Sequence, residues 1–243
     1  MLRCFIALAL VTLGGPVAHA TPTGDDWLKR VDTTSTVDSA HVLLDITVTD
    51  KKGNKSPRTL EIWQKGTEHR LIRMKAPARL AGVGLLVRPG DSLHLFLPAY
   101  PPARRVVGSK RSDAFMGTDF AMEDLSRMTW HERYDAEVIG TENDMTHLKL
   151  IPREDTGDAA VHLWIGPGDE AVVRSVEHID SKGRLSRRLE MNDIRQVNGV
   201  PMAHHISVQD LLRGRSTEAR IQTVQINQGV SAELFTVTAL EQH

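Results

Sequence analysis

Hydrophobic and polar positions alternate with a period of two over most of this chain, which predicts strands with one buried face. Over 39–48, Val42, Leu44, Ile46 and Val48 alternate with His41, Leu43, Asp45 and Thr47. The Lys51-Lys-Gly-Asn-Lys-Ser56 cluster then makes a turn, and 58–64 returns with Leu60 and Ile62 on one face, so a hairpin is the simplest fit. A further strand is predicted over 69–75, with Leu71 and Arg73 on one face and Ile72 and Met74 on the other. After a breaker or single helical turn at 77–82, the segments 83–87 and 93–97 read as short strands joined by Arg88-Pro-Gly-Asp91. Large side chains occupy both faces of this pair, Leu93, Leu95 and Leu97 on one and Phe96 on the other, and place it at the expected centre of the sheet.

The second half reads almost entirely as strand. Runs at 130–140, 145–151, 161–165, 171–179, 185–194, 203–211 and 217–226 are separated by turn chemistry such as Gly166-Pro-Gly-Asp, Asp180-Ser-Lys-Gly and Val197-Asn-Gly. Spacings of roughly ten to fifteen residues describe consecutive antiparallel strands. About a dozen strands in one up-and-down sheet curl strongly, because neighbours twist by about 20 to 25 degrees. Such a curl encloses a space, and with aromatic residues at only 5% few bulky side chains are available to fill it. Ahead of the strands, Gly24-Asp-Asp-Trp-Leu-Lys-Arg-Val31 predicts a short helix capped by Asp25, with Trp27, Leu28 and Val31 on one side.

One stretch obeys neither period. Residues 111–125 set Phe115, Met116, Phe120, Met122 and Leu125 among Asp113, Asp119, Glu123 and Asp124, with a hinge-capable Gly117. An irregular segment this apolar lies against something greasy: the chain's own core, or a lipid-sized cavity over which it forms a flap with an adaptable lining of methionine and phenylalanine. On the second reading those five residues are the ligand-facing lid, and Leu85, Leu93, Leu95 and Leu97 are candidates for the cavity wall. Met122, Leu125 and Met128 fall at i, i+3 and i+6, consistent with about two helical turns on the sheet.

The amino terminus changes the picture of where the protein works. Arg3, an apolar run over 5–13, Gly14-Gly-Pro16 and the small residues Ala18 and Ala20 predict an export signal cleaved after Ala20. No window approaches the roughly 18 to 20 apolar residues of a spanning helix. Cys4, the single cysteine, lies in the predicted signal, so the expected mature form has neither a disulfide nor an acyl anchor and relies on its core. No linker interrupts the pattern, and 21–243 is expected to be one domain. The 30 basic and 31 acidic side chains nearly balance, so there is no single-sign field to draw nucleic acid or an anionic membrane surface.

Candidate chemistry adds little. There is no Gly-x-Ser-x-Gly elbow, no His-Glu-x-x-His, no cysteine pair and no phosphate-cradling glycine loop, so neither an enzyme nor a metal or cofactor is expected. His204 and His205 are adjacent on a predicted strand and point to opposite faces, so they do not chelate one ion together. The acidic residues of 111–125 have Arg104, Arg105 and Arg111 nearby and read as salt-bridged lid supports rather than an acid and a base.

The order of these pieces resembles a known family. Gly82-Val-Gly-Leu-Leu86, Leu93-His-Leu-Phe-Leu-Pro98, Arg104-Arg105 and Arg111-Ser-Asp-Ala-Phe-Met-Gly-Thr-Asp-Phe120 with Glu123-Asp-Leu125 are similar to the LolA-like, outer-membrane lipoprotein-sorting proteins. Val176-Glu-His-Ile-Asp-Ser-Lys-Gly183, Leu189-Glu-Met-Asn-Asp-Ile194, Asn198-Gly199 and Glu233-Leu-Phe235 extend the likeness over most of 60–240. The chain departs from it at Ala121 and Met122, where a serine and an aromatic are expected. The resemblance implies an unclosed antiparallel barrel of about eleven strands around an apolar cavity, lidded by helices and loops. It also implies export to the Gram-negative periplasm and a carrier that moves a lipid, or the acyl chains of a lipoprotein, toward the outer membrane. Its partners would be an inner-membrane exporter or an outer-membrane acceptor. The alternative is a lid-gated lipid sensor or an accessory subunit of a resistance-nodulation-type exporter.

Overall fold

The structure, a computed structural model, describes residues 21–90, 92–154, 156–167 and 171–242. The predicted signal with Cys4 lies outside the described residues. Helix α1 (Gly24–Ser35) forms as expected, but its cap is Thr23 rather than Asp25. The Thr23 hydroxyl accepts from the Asp26 amide at 3.2 Å while the Asp26 carboxylate accepts from the Thr23 amide at 2.9 Å, which satisfies two free donors at once. Asp25, two positions past the cap, pairs with Lys29 at 2.6 Å instead.

Thirteen strands follow: β1 (Ser39–Thr49), β2 (Lys55–Lys65), β3 (His69–Ala76), β4 (Gly84–Arg88), β5 (Ser92–Phe96), β6 (Arg104–Val106), β7 (Tyr134–Glu142), β8 (Met145–Pro152), β9 (Asp158–Ile165), β10 (Val173–Asp180), β11 (Leu185–Val197), β12 (Val200–Asp210) and β13 (Arg215–Ile226). They form one antiparallel sheet in the order β6-β5-β4-β3-β2-β1-β13-β12-β11-β10-β9-β8-β7. Two meanders are thus joined where β1 pairs with β13, with Val42 opposite Val224 and Ile46 opposite Ala219. The sheet is not closed: β6 and β7 are its two edges.

The expectation that the β4 and β5 strands lie at the centre is corrected. They are the third and second strands from one edge, and β1 and β13 hold the middle. Their second apolar face has another cause, a small satellite core outside the main one. Leu71, Leu86 and Phe96 are covered there by Phe235 and Leu240, which come from a 3-10 turn (Ala232–Phe235) and helix α3 (Val237–Glu241) near the carboxyl terminus. Arg73 fastens this cover by donating to the carbonyls of Ala239 and Gln242. The concave face of the sheet carries the main core, including Leu28 and Val31 of α1. The helix packs against β7 and β12, so closely that a Cβ on Gly24 would lie 2.2 Å from the Ala136 carbonyl oxygen.

Phe235 is 3% exposed and forms the largest part of the satellite cover. Phe235→Ala is expected to lower stability by about 3–5 kcal/mol in urea unfolding followed by far-UV circular dichroism.

Candidate functional site

Because β6 and β7 follow one another in sequence but lie at opposite edges, the chain between them crosses the concave mouth of the sheet. This crossing contains the irregular stretch. It runs through 3-10 turns at Gly108–Ser112 and Phe115–Gly117 to the short helix α2 (Met122–Ser126). The two helical turns expected from Met122, Leu125 and Met128 are shortened to five residues. Arg127 is already extended, at φ −66° and ψ 124°, and its guanidinium sits 3.8 Å from the centre of the Trp130 ring.

The crossing first closes on itself. The Phe115 amide donates to the Phe120 carbonyl at 2.8 Å and the Met122 amide to Asp113 at 3.0 Å, while Met116 and Gly117 take the left-handed backbone that turns the loop. Side chains from both halves of the sheet then hold it down. From β2 and β3, Arg58 donates to the Met116 carbonyl, and Arg70 to the carbonyls of Leu125 and Arg127 at 2.8 and 3.2 Å. From β13, Thr217 bonds the Asp119 amide and carboxylate at 2.9 and 2.7 Å, and Arg215 reaches the Gly117 carbonyl at 2.6 Å. From β11, Arg187 bonds Asp124 at 2.6 Å, and within the crossing Arg111 and Arg133 bracket Glu123 at 2.6 and 2.7 Å. The acidic residues Asp119, Glu123 and Asp124 are therefore ion-paired supports, as expected, with Arg111 among the expected partners but Arg133, Arg187 and Arg215 in place of Arg104 and Arg105. Arg104 and Arg105 are exposed on β6.

Asp124 is the hub. Its carboxylate also accepts from the Ala121 amide at 2.9 Å and faces His178 at 3.5 Å, and the other ring nitrogen of His178 bonds Asp158 at 2.7 Å. Burial pushes the Asp124 carboxyl up, but Arg187, His178 and Arg127 outweigh it and hold the group well below the usual carboxylate range. Asp119 shifts the other way: burial raises it against the hydrogen bond from Thr217 and the charge of Arg215.

Beneath the crossing is a cavity of about 370 Å³. Its walls are Val42, Leu44 and Ile46 of β1, Leu60 and Ile62 of β2, and aliphatic side chains of β11 to β13, among them Met191, Met202 and Ile221. Of the five candidate lid residues, Phe120 and Leu125 line it. Phe115 and Met122 are buried in the main core, and Met116 is half-buried at the turn. Leu85 and Leu93 are buried in that core with Leu95 and Leu97 packed against it, and none of the four lines the cavity. The irregular stretch thus divides between the core, which takes Phe115 and Met122, and the cavity lining, which takes Leu125 and one side of Phe120. The wall residues on β1 and β11–β13 went unnoticed because a period-two strand reads the same whether its inner face meets a side chain or a void. A second cleft, of about 480 Å³, lies between the β4–β5 turn and the end of the crossing and is lined by charged residues including Arg88, Glu123 and Arg153. Among the described residues, no group of three or more His, Cys, Asp or Glu is placed to hold a metal ion.

An unclosed antiparallel sheet curled around an apolar cavity and lidded by loops and a short helix is the LolA-like fold. Solved structures agree. A DUF1329 family protein from Desulfovibrio piger superposes with a TM-score of 0.82 at 22% identity, covering 89% of this chain and 97% of that one. A protein described as an outer membrane lipoprotein-sorting domain, from Vibrio parahaemolyticus, gives 0.81 at 21% identity over 90% and 98%. A LolA superfamily protein from Nitrosomonas europaea gives 0.74 at 19% identity over 89% and 98%. No curated protein matches the sequence. A family model described as "-like: Uncharacterized protein" matches residues 66–242, and the chain belongs to that family.

The depressed carboxyl of Asp124 links stability to acid. Because it titrates lower in the folded chain than in the unfolded one, its contribution is fully present above the unfolded value of 3.8 and is lost as the pH falls toward the folded value. Asp124→Asn is expected to flatten the fall in urea-unfolding free energy below about pH 4, and to cost about 3–5 kcal/mol near neutrality by leaving Arg187 buried and unpaired.

Proposed function

We propose that this chain is a periplasmic carrier, one domain spanning 21–243 after loss of the first twenty residues. It holds a lipid, or the acyl chains of a lipoprotein, in the cavity beneath α2 and passes it toward the outer membrane. The observation that carries this reading is the cavity itself, about 370 Å³ walled by aliphatic side chains that the protein's own residues leave unfilled. That size lies within the roughly 300–1,000 Å³ range of small-molecule sites. The lipoprotein-sorting description of the Vibrio parahaemolyticus structure supports the choice of cargo.

The driving force is burial of hydrocarbon. Each shielded methylene contributes about 0.8 kcal/mol, so a 16-carbon chain gains on the order of 10 kcal/mol before ordering costs. The walls offer no polar partner along most of their length, so the chain is held by area rather than by recognition. Direction of transfer then comes from an acceptor that binds the same chain more tightly.

Native mass spectrometry of protein purified from a periplasm is expected to show copurified lipid, and the emptied protein to bind the neutral fluorescent probe N-phenyl-1-naphthylamine. Ile221 is a half-buried wall residue. Ile221→Trp is expected to fill the cavity and weaken probe binding about tenfold or more while leaving the unfolding midpoint nearly unchanged. Ligand-free spectra together with no probe binding would overturn the carrier.

A further inference from the structure

The cavity lining is mostly aliphatic, with Ser35, Gln64 and His204 among its polar members. Its charged members are Arg70, Arg127 and Asp124, the last two on or next to α2. The carboxylate is already committed, accepting from Arg187 at 2.6 Å and from the Ala121 amide at 2.9 Å. Among the described residues Arg70 has no carboxylate in ion-pair contact. Its Nε and Nη2 donate to the Gln64 side-chain oxygen at 3.2 and 2.6 Å, and its Nη1 to the Leu125 and Arg127 carbonyls. The Arg127 side chain is 5% exposed, and its buried Nη1 makes no hydrogen bond. The nearest anion is the Asp124 oxygen at 3.9 Å, whose charge Arg187 shares.

A buried ion without a counter-charge costs several kcal/mol, and folded proteins ordinarily place a carboxylate against it. Here Arg70, Arg127 and Arg187 share one carboxylate, Asp124, which bonds Arg187 most closely, so the two arginines of the cavity lining lack a close counter-charge of their own. Deprotonation does not relieve this: burial and then the charge of Arg127 bring Arg70 down to about 10, still protonated at neutral pH. Holding the lid does not account for it either. Of the two guanidiniums only Arg70 serves lid carbonyls, those of Leu125 and Arg127, and the buried donor without a hydrogen bond belongs to Arg127. What neutralises both is an anion delivered from inside the cavity, where charge-assisted bonds to guanidinium in a dry site are strongest.

We propose that the ligand is an amphiphile with a single anionic head group, a carboxylate or phosphate monoester, whose head binds between Arg127 and Arg70 and whose acyl chain runs along β1 and β11–β13. This rests on the carrier reading and narrows its cargo from acylated molecules in general to chains that end in a charge. The site assigns Arg127 the role of head-group donor. Arg70 contributes charge while its hydrogen bonds stay on the lid, and Trp130, stacked on Arg127, reports the occupancy.

The test is displacement of N-phenyl-1-naphthylamine from delipidated protein by palmitate, hexadecyl phosphate and hexadecanol at fixed ionic strength, with tryptophan emission recorded separately, without the probe, on a variant that keeps Trp130 and carries Trp27→Phe, Trp63→Phe and Trp164→Phe. Palmitate and hexadecyl phosphate are expected to displace the probe at about tenfold lower concentration than hexadecanol, and to shift the emission where the alcohol does not. Which of the two anions is tighter names the head group. Arg127→Met is expected to bring all three ligands to the alcohol's affinity, and Arg127→Lys to retain part of the preference. Equal affinity of the wild type for palmitate and hexadecanol overturns the anionic head while leaving the carrier standing, and that comparison decides even where the Met variant fails to fold. Failure of every ligand, probe included, sinks the carrier itself. An emission shift with inorganic phosphate as large as that with hexadecyl phosphate assigns the site to a free anion and overturns the amphiphile.

Discussion

The order of strands imposes the constraint on which the site depends. Strands β6 and β7 are consecutive along the chain and occupy opposite edges of the sheet. The connection between them has to pass from one edge to the other, and here it takes the route over the concave face, where it covers the interior. The sequence of the crossing then decides how firmly the cover sits. Its backbone carbonyls and carboxylates meet arginines from β2, β3, β11 and β13, on both sides of the central β1–β13 pair. The cover thus ties the two meanders together across the opening as well as closing it.

A void survives beneath it because curvature and composition disagree. Twisted antiparallel strands in this number curl until the inner faces look at one another across a distance that aliphatic side chains do not span. The bulky residues that would bridge the gap lie elsewhere: Phe115 is buried under the loop it turns, Tyr134 at the start of β7, and Phe96 and Phe235 on the convex side. On β11 to β13 the inward positions are held by Met191, Met202, Ile206 and Ile221, which are half-buried rather than packed out. Methionine and isoleucine there leave the space beneath the cover lined by flexible or branched aliphatic groups.

The alternation of polar and apolar positions made the strands, their antiparallel order and the hairpins legible, since a period of two fixes which residues share a face. It did not reveal their place in the sheet. Two-sided apolarity at Leu85, Leu86, Leu93 and Phe96 resembles a central strand, and only the distant Phe235 and Leu240 explain it as an edge covered from outside. The helix cap was off by two residues because Thr23 and Asp25 both have capping side chains, and the choice rests on the reciprocal bond from Asp26. For the site, the irregular stretch marked the segment that covers the interior, and two of its five apolar candidates, Phe120 and Leu125, line the cavity. The wall escaped, because which strands face the void is set by curvature and by the lid's route, neither of which leaves a local mark in sequence.

The charges in the crossing also limit how the cover can behave. Arg111, Glu123 and Asp124 are almost fully buried, and each is satisfied mainly by its partner. Breaking one such bond leaves the other charge stranded in a medium that solvates it poorly, at a cost of several kcal/mol. Small excursions of α2 are therefore resisted more strongly than their area suggests, whereas a displacement large enough to bring water to all these groups together regains much of that cost at once. The charges therefore oppose partial displacement of the cover more than its contact area does. The wall is built differently, since its half-buried aliphatic residues on β11 to β13 carry no ion pairs to the crossing. The ion-paired side of the cavity and its aliphatic side are thus separate parts of the molecule.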